Sequence, residues 1–120
     1  MPPGPPTPYL VVDVPVMEAN VDRVARAAAE AGTALRPHVK THKCAEIARR
    51  QVAAGAVGIT VATIGEAEVF VERGFEDVFV AYPVWVDEER AARLRSLRER
   101  AASDSAAASS RAAASRPSGS

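Results

Sequence analysis

Only two lysines occur in the 120 residues, Lys40 and Lys43, and both fall in one segment, Arg36-Pro37-His38-Val39-Lys40-Thr41-His42-Lys43-Cys44. The other thirteen cationic side chains are arginines. Where bare charge is enough, either residue serves. Lysine alone carries a primary amine that can shed its proton, attack a carbonyl carbon and form a Schiff base. The same segment holds both histidines and the single cysteine. That density of reactive side chains makes it the candidate centre for chemistry.

Something must hold these groups in place. Residues Ala34–Lys40 read as a strand, and period-two alternation sets Ala34, Arg36, His38 and Lys40 on one face and Leu35, Pro37 and Val39 on the other. Leu35 and Val39 would pack against helices. Three basic side chains in a row on the opposite face would be costly to bury unpaired. An anionic ligand, or acidic groups beyond this chain, would answer them. Lys40 falls at the strand's C-terminal end, where α/β folds place their active sites. Arg36 and Lys43 beside it would favour the neutral amine that Schiff-base chemistry requires. Taken alone, Lys40 reads better as an ordinary solvated lysine at a strand end, and only the wider sequence context reverses that.

From residue 9 to about residue 100, short apolar runs alternate with longer amphipathic ones. Tyr9–Asp13 reads as a buried strand. Asp13 is placed to cap the next helix, with Pro15 tolerated in its first turn. Met17, Val21, Val24 and Ala28 recur along one face of that helix, and Gly32 ends it. A second helix spans Lys43–Ala54. Gly58–Ala62 is a third strand, and Thr63 with Glu66 has the spacing of a capping box that opens a third helix, closed at Gly74. Asp77–Tyr82 is a fourth strand, and Asp87 opens a fourth helix reaching about Arg100. Four β-α units with strands this apolar imply a parallel sheet covered by helices. Doubly wound sheets and (β/α)8 barrels both begin this way; a complete barrel typically needs ~250 residues, and four units would be half of one.

The flanks are different. Residues 1–8 form a proline-rich arm, and residues 101–120 are almost wholly Ala, Ser and Arg, expected to be disordered or a frayed alanine-rich helix. No fifth strand follows, so a chain cut short partway through a larger protein is the favoured expectation. Net charge is zero with pI near 6.7, so no global attraction to nucleic acid or to an anionic membrane surface is expected. Cys44 has no disulfide partner in the sequence, zinc-ligand spacing is absent, residues 1–8 lack the basic region and apolar run expected of a signal peptide, and no run approaches the ~20 apolar residues that would span a bilayer. A cytoplasmic location is expected.

The blocks Thr7–Asp13 (TPYLVVD), Leu35–Cys44 (LRPHVKTHKC), Ala54–Glu68 (AGAVGITVATIGEAE) and Asp77–Pro83 (DVFVAYP) occur in this order and spacing. Together they resemble the N-terminal barrel of the pyridoxal-phosphate enzymes grouped with D-threonine aldolase and D-serine dehydratase, relatives of alanine racemase. The resemblance covers residues 7–100, and the Arg-Pro-His-x-Lys-Thr-His-Lys block is its most specific element. It implies that Lys40 holds pyridoxal 5'-phosphate through a Schiff base, an internal aldimine, with His38 and Arg36 helping to set the charge around the cofactor. It implies a lyase acting on a small D-configured β-hydroxy amino acid such as D-threonine or D-serine. Full-length relatives would add a β-rich domain with ligands for a divalent metal, and this chain shows no counterpart, so little or no turnover is expected from it alone. Two alternatives stand beside this reading. One is a non-catalytic pyridoxal-phosphate-binding module of the same superfamily. The other is an inactive half-barrel serving as an association surface, for which a homodimer is the natural partner. Tyr82 and Trp85 read equally as a pocket mouth or as packing residues, and Glu68 as a solvated surface group.

Overall fold

The structure, a computed structural model, describes residues 4–114, with side chains through Ser103. The first three residues of the proline-rich arm and the last six of the alanine-serine tail lie outside the described residues.

Helices form where local signals ask for them. In α1 (Val14–Glu30), the Asp13 carboxylate accepts the Val16 N–H at 3.2 Å, which satisfies a donor the first helical turn leaves free. The chain leaves α1 through Gly32 at φ 67°, while the Thr33 N–H donates to the Ala28 carbonyl at 2.9 Å. A residue with a Cβ is rarely comfortable in that left-handed conformation. After α2 (Ala45–Ala53) and a turn comes α3 (Ile64–Glu72), capped by the Thr63 hydroxyl, which accepts the Glu66 N–H at 3.0 Å. Asp87 caps α4 (Glu88–Ala114) in the same way, accepting the Arg90 N–H at 2.8 Å. This last helix runs well past Arg100, where the sequence suggested its end. Alanine is the best helix former, and no glycine or proline stands between Arg100 and Ala114 to stop it.

The strands depart further from expectation. Among the described residues only two form, β1 (Ile59–Val61) and β2 (Val78–Val80), paired in parallel with Ile59 opposite Val78, Thr60 opposite Phe79 and Val61 opposite Val80. The expected strand Ala34–Lys40 is reduced to an extended segment beside β1. The Val57 N–H donates to the Leu35 carbonyl at 2.9 Å, the Thr60 N–H donates to the Pro37 carbonyl at 2.8 Å, and His38 bridges to Thr60. Pro37 has no N–H to contribute to a ladder, and Val39–Thr41 turns into a short 3-10 helix. The expected strand Tyr9–Asp13 does not form either. Among the described residues, 9–12 make no backbone hydrogen bond, and Leu10 is 97 % exposed. The observed architecture is thus a two-stranded parallel sheet with a third segment along one edge and helices packed against it, not a half-barrel of four complete units.

One face of this sheet carries the core. Val39, Ile59 and Val61 are fully buried and pack with Ile64, Ala67, Phe70, Val71 and Leu97 from α3 and α4. Each such buried side chain contributes roughly 1.5–3 kcal/mol. Phe70 and Phe75 meet edge to face, with ring centroids 5.4 Å apart and planes at 79°. The register puts His38, Thr60 and Phe79 side by side on the opposite face, and one step toward the strands' N-terminal ends it puts Arg36, Gly58 and Asp77. The Arg36 guanidinium reaches across Gly58 to Asp77, and a Cβ at Gly58 would fall within 2.9 Å of the Asp77 Cβ and closer still to Arg36 Nη1. Glycine is there because an arginine passes over it.

Candidate functional site

The sequence brings Lys40 forward, and the structure places it just beyond the bridge at His38, in the middle of the 3-10 turn at the C-terminal rim of the sheet. Its side chain is exposed, and Nζ lies 6.0 Å from the centroid of the Tyr82 ring, which follows β2. Lys40 therefore spans the mouth of β1. An ammonium at this distance is attracted to the ring's negative face.

His38 holds the turn from beneath. Its Nδ1 accepts the Lys40 N–H at 3.3 Å, and its carbonyl accepts the Thr41 hydroxyl at 3.3 Å. With Nδ1 accepting, the proton of a neutral ring sits on Nε2, and that atom is buried with no partner among the described residues. A buried donor left unsatisfied costs about 1–3 kcal/mol, so His38 Nε2 is a place where an acceptor is wanted. His42 repeats the device with its needs met: Nδ1 accepts the Cys44 N–H at 3.0 Å, and Nε2 lies 3.0 Å from Gln51 Oε1. His42 is a structural brace, half-buried rather than solvated.

Lys43 sits at φ 51°, a left-handed conformation that a lysine adopts only under constraint, with its N–H donating to the Val39 carbonyl at 2.7 Å. The constraint aims its ammonium at Glu66, where Nζ lies 3.8 Å from Oε1. The other oxygen of Glu66 accepts the Ala62 N–H at 2.6 Å, and only 17 % of that side chain is exposed. Only half of the expected capping box forms: Thr63 accepts the Glu66 N–H, but the Glu66 carboxylate accepts the Ala62 N–H one residue earlier and so joins the end of β1, the start of α3 and the lysine turn.

Arg36 stands at the other end of the strands. Its guanidinium donates to Asp77 Oδ1 at 2.6 Å and to the Asp77 carbonyl at 3.3 Å. The hydrogen bond raises the arginine's pKa and holds the Asp77 carboxyl below the usual carboxylate range. The row of three unpaired cations expected from alternation is therefore absent, because an acid in this same chain answers Arg36. Neither Arg36 nor Lys43 is a free cation beside Lys40. Glu68 is likewise no solvated surface group: it accepts from Arg93, Nε at 2.9 Å, tying α3 to α4 and raising the arginine's pKa.

A hollow of about 520 Å³ opens at the rim between the β1–α3 and β2–α4 connections, lined by Thr63, Gly65, Tyr82, Trp85, Arg90 and Arg93. This volume is within the range of roughly 300–1,000 Å³ typical of small-molecule sites. A second hollow of similar size, between α3, α4 and β2, is lined chiefly by apolar groups such as Val71, Val80 and Leu97 and holds no nucleophile. Among the described residues, no group of three histidine, cysteine or acidic side chains stands together as a metal site would require, and no helix is long and apolar enough to cross a membrane.

Comparison with known proteins agrees with this picture. The family model described as alanine racemase, N-terminal domain, matches residues 12–118. D-threonine aldolase from Arthrobacter sp. is 45% identical over 78 residues, 65% of this chain and 21% of the relative. D-threo-3-hydroxyaspartate dehydratase from Delftia sp. (strain HT23) is 45% identical over 75 residues, 62% of this chain and 20% of that protein. The crystal structure of D-threonine aldolase from Filomicrobium marinum superposes with a TM-score of 0.75 at 39% identity, covering 79% of this chain and 26% of the aldolase. The chain thus spans about a fifth of the length of the curated relatives it matches.

Proposed function

Because this chain belongs to the family of the alanine racemase N-terminal domain, we propose that it carries the lysine end of a pyridoxal-phosphate site, with Lys40 as the residue that holds the cofactor. The substrate class follows from what the relatives' names share. D-threonine, D-threo-3-hydroxyaspartate and 3-hydroxy-D-aspartate all have a D-configured α-carbon and a hydroxyl on the β-carbon. The proposed reaction is aldol cleavage or dehydration of such an amino acid.

The residues present suit the group. Lys40 Nζ is an exposed primary amine at the rim, and the buried His38 Nε2 is a donor without an acceptor among the described residues. The hollow beside Tyr82 and Trp85 has room for a small aromatic ring; neither Lys40 nor His38 lines it, and Lys40 approaches it only over the Tyr82 ring. Bound pyridoxal phosphate would supply an electron sink for a bond breaking at the substrate's α-carbon. The chain's own residues do the rest. The 3-10 turn, fixed by His38 Nδ1, sets where the Lys40 amine stands. The two lysines differ in surroundings: Lys43 faces the Glu66 carboxylate at 3.8 Å, and Lys40 faces the Tyr82 ring. With the cofactor bound, the Lys40 amine would be the chain's own candidate to take or return a proton at the substrate's α-carbon. A metal that activates the β-hydroxyl would need ligands other than the residues described here, among which no three histidine, cysteine or acidic side chains stand together.

The position of Lys40 at the strands' C-terminal rim, in a chain with only one other lysine, carries this reading. Incubation with pyridoxal phosphate, borohydride reduction and peptide mass mapping tests it. Label should concentrate on Lys40, at about tenfold over Lys43 and the N-terminal amine, and should vanish in Lys40→Ala. Equal label on all three amines would overturn it.

A further inference from the structure

The lysine turn hangs on one ring nitrogen. We propose that His38 is a positioning residue for Lys40 that works only as the neutral imidazole, so that a proton taken up at Nδ1 releases the turn and weakens the reaction of the Lys40 amine with a carbonyl. That reaction rests on the proposed role of Lys40; the release of the turn does not.

The chain arrives at His38 extended and coils at once into the 3-10 turn Val39–Thr41. At that junction His38 Nδ1 accepts the Lys40 N–H, two residues on, at 3.3 Å. An asparagine or aspartate makes the same bond in an Asx turn, and here an imidazole supplies it. The two caps differ in one respect. An asparagine oxygen accepts at any pH, whereas an imidazole with a proton on each nitrogen has donors only. One of those donors would then face the Lys40 N–H, and the turn would lose its cap.

His42 shows why His38 is the sensitive one. Its ring also accepts a backbone N–H two residues on, from Cys44 at 3.0 Å. Its Nε2 is tied in addition to Gln51 Oε1 at 3.0 Å, so α2 holds this ring whether or not Nδ1 accepts. The His38 ring has no such second hold. Its Nε2 is buried with no partner among the described residues, which leaves the bond to Lys40 as the one that fixes it.

The groups around the ring are engaged elsewhere. The register sets Thr60 of β1 and Phe79 of β2 beside it, and neither carries a charge. Along the same segment Arg36 lies two residues before His38, held by Asp77, and Lys40 two residues after it, over the Tyr82 ring. At the far end of the turn Glu66 receives the Ala62 N–H and faces Lys43.

Two readouts on the purified chain, each taken at about pH 8 and about pH 5.5 to bracket the range where imidazoles ordinarily titrate, test this. The first is hydrogen exchange at the Lys40 amide, corrected for the intrinsic pH dependence of exchange. Its protection should fall about fivefold on acidification in the wild type, the worth of one ordinary hydrogen bond. It should stay level in His38→Asn, whose side-chain oxygen takes the same N–H at either pH. The second is the ratio of label on Lys40 to label on Lys43 after pyridoxal phosphate and borohydride. In that reaction the amine adds to the aldehyde carbon, water leaves, and a hydride with a solvent proton completes a secondary amine. The ratio should drop about fivefold on acidification in the wild type and should not change with pH in His38→Asn. Protection that is level in the wild type, or that falls as far in His38→Asn, overturns the proposal. So does a label ratio that rises on acidification, which would mark His38 as a charge acting on the amine and not as a support for its backbone. Label spread evenly over all amines at both pH values, with the change in protection intact, would overturn the assignment of Lys40 and leave His38 as the latch of this turn.

Discussion

Residues 9–30 and residues 59–97 are written in the same vocabulary, an apolar run and then a capped amphipathic helix, yet they are buried to opposite extents. β1 is buried at every position, and α3 after it buries Ile64, Ala67, Phe70 and Val71. Tyr9–Val12 are exposed, and α1 has no buried residue at all. Capping does not separate them, since Asp13 and Thr63 each cap their helix with a side-chain oxygen. Neighbours do. β1 has β2 on one edge and the segment 35–38 on the other, whereas Tyr9–Val12 has neither, so α1 finds no sheet to lie on. A hollow of about 200 Å³ remains between Val21 and Val24 of α1 and Leu35 and Pro37. Burial of an apolar run is thus a property of its partners more than of its own hydrophobicity.

Substitutions can break or sharpen this contrast. The largest effect belongs to the core side: Phe70→Ala removes a ring that packs against Phe75 and should cost about 3–5 kcal/mol in urea unfolding, enough to unfold a domain this small. A loss under about 1 kcal/mol would mean the α3 core is not what holds the chain together.

Smaller, and dependent on pH, is the clamp between Arg36 and Asp77. The Asp77 carboxyl is held below its ordinary value by the arginine's hydrogen bond, so the pair's contribution is complete above the unfolded pKa of about 3.9 and is lost as pH falls through the lower folded value. Asp77→Asn should therefore lower stability by about 1 kcal/mol at pH 7, discounted for the partial exposure of both groups. That deficit should shrink at pH 3 and below. Thermal melts across that range check it, and a deficit that grows on acidification would show that Asp77 is not the acid Arg36 holds.

The smallest effect is expected on the N-terminal side. Val16→Ala in α1 should change stability by no more than about 0.5 kcal/mol, because that side chain is already half exposed. A cost above about 2 kcal/mol in the same unfolding experiment would mean α1 is packed in solution as α3 is.

The helices, their caps and their glycine stops were legible along the chain, since each depends on groups within four or five residues of one another. So was the clustering of Lys40, His38 and Arg36 in one segment. The pairing of these groups was not legible. Arg36 and Asp77 lie 41 positions apart, and Glu68 and Arg93 lie 25 apart, so neither pair has a local signature. Alternation extended the strand through Lys40, whereas Pro37 removes a ladder donor and the chain coils into a 3-10 turn at Val39. Nothing local marks Gln51, nine residues on and inside α2, as the partner of His42.

Composition and order alone were thus enough to establish a parallel α/β chain with one lysine-bearing segment between its first and second helices. Helix formation and side-chain chemistry are local, and local properties are written where they act. Which strands pair, which acid answers which base, and what each lysine faces required the chain to be folded. A ladder bond, an ion pair and an aromatic face for an ammonium each need two distant segments in contact, and only packing supplies the second one.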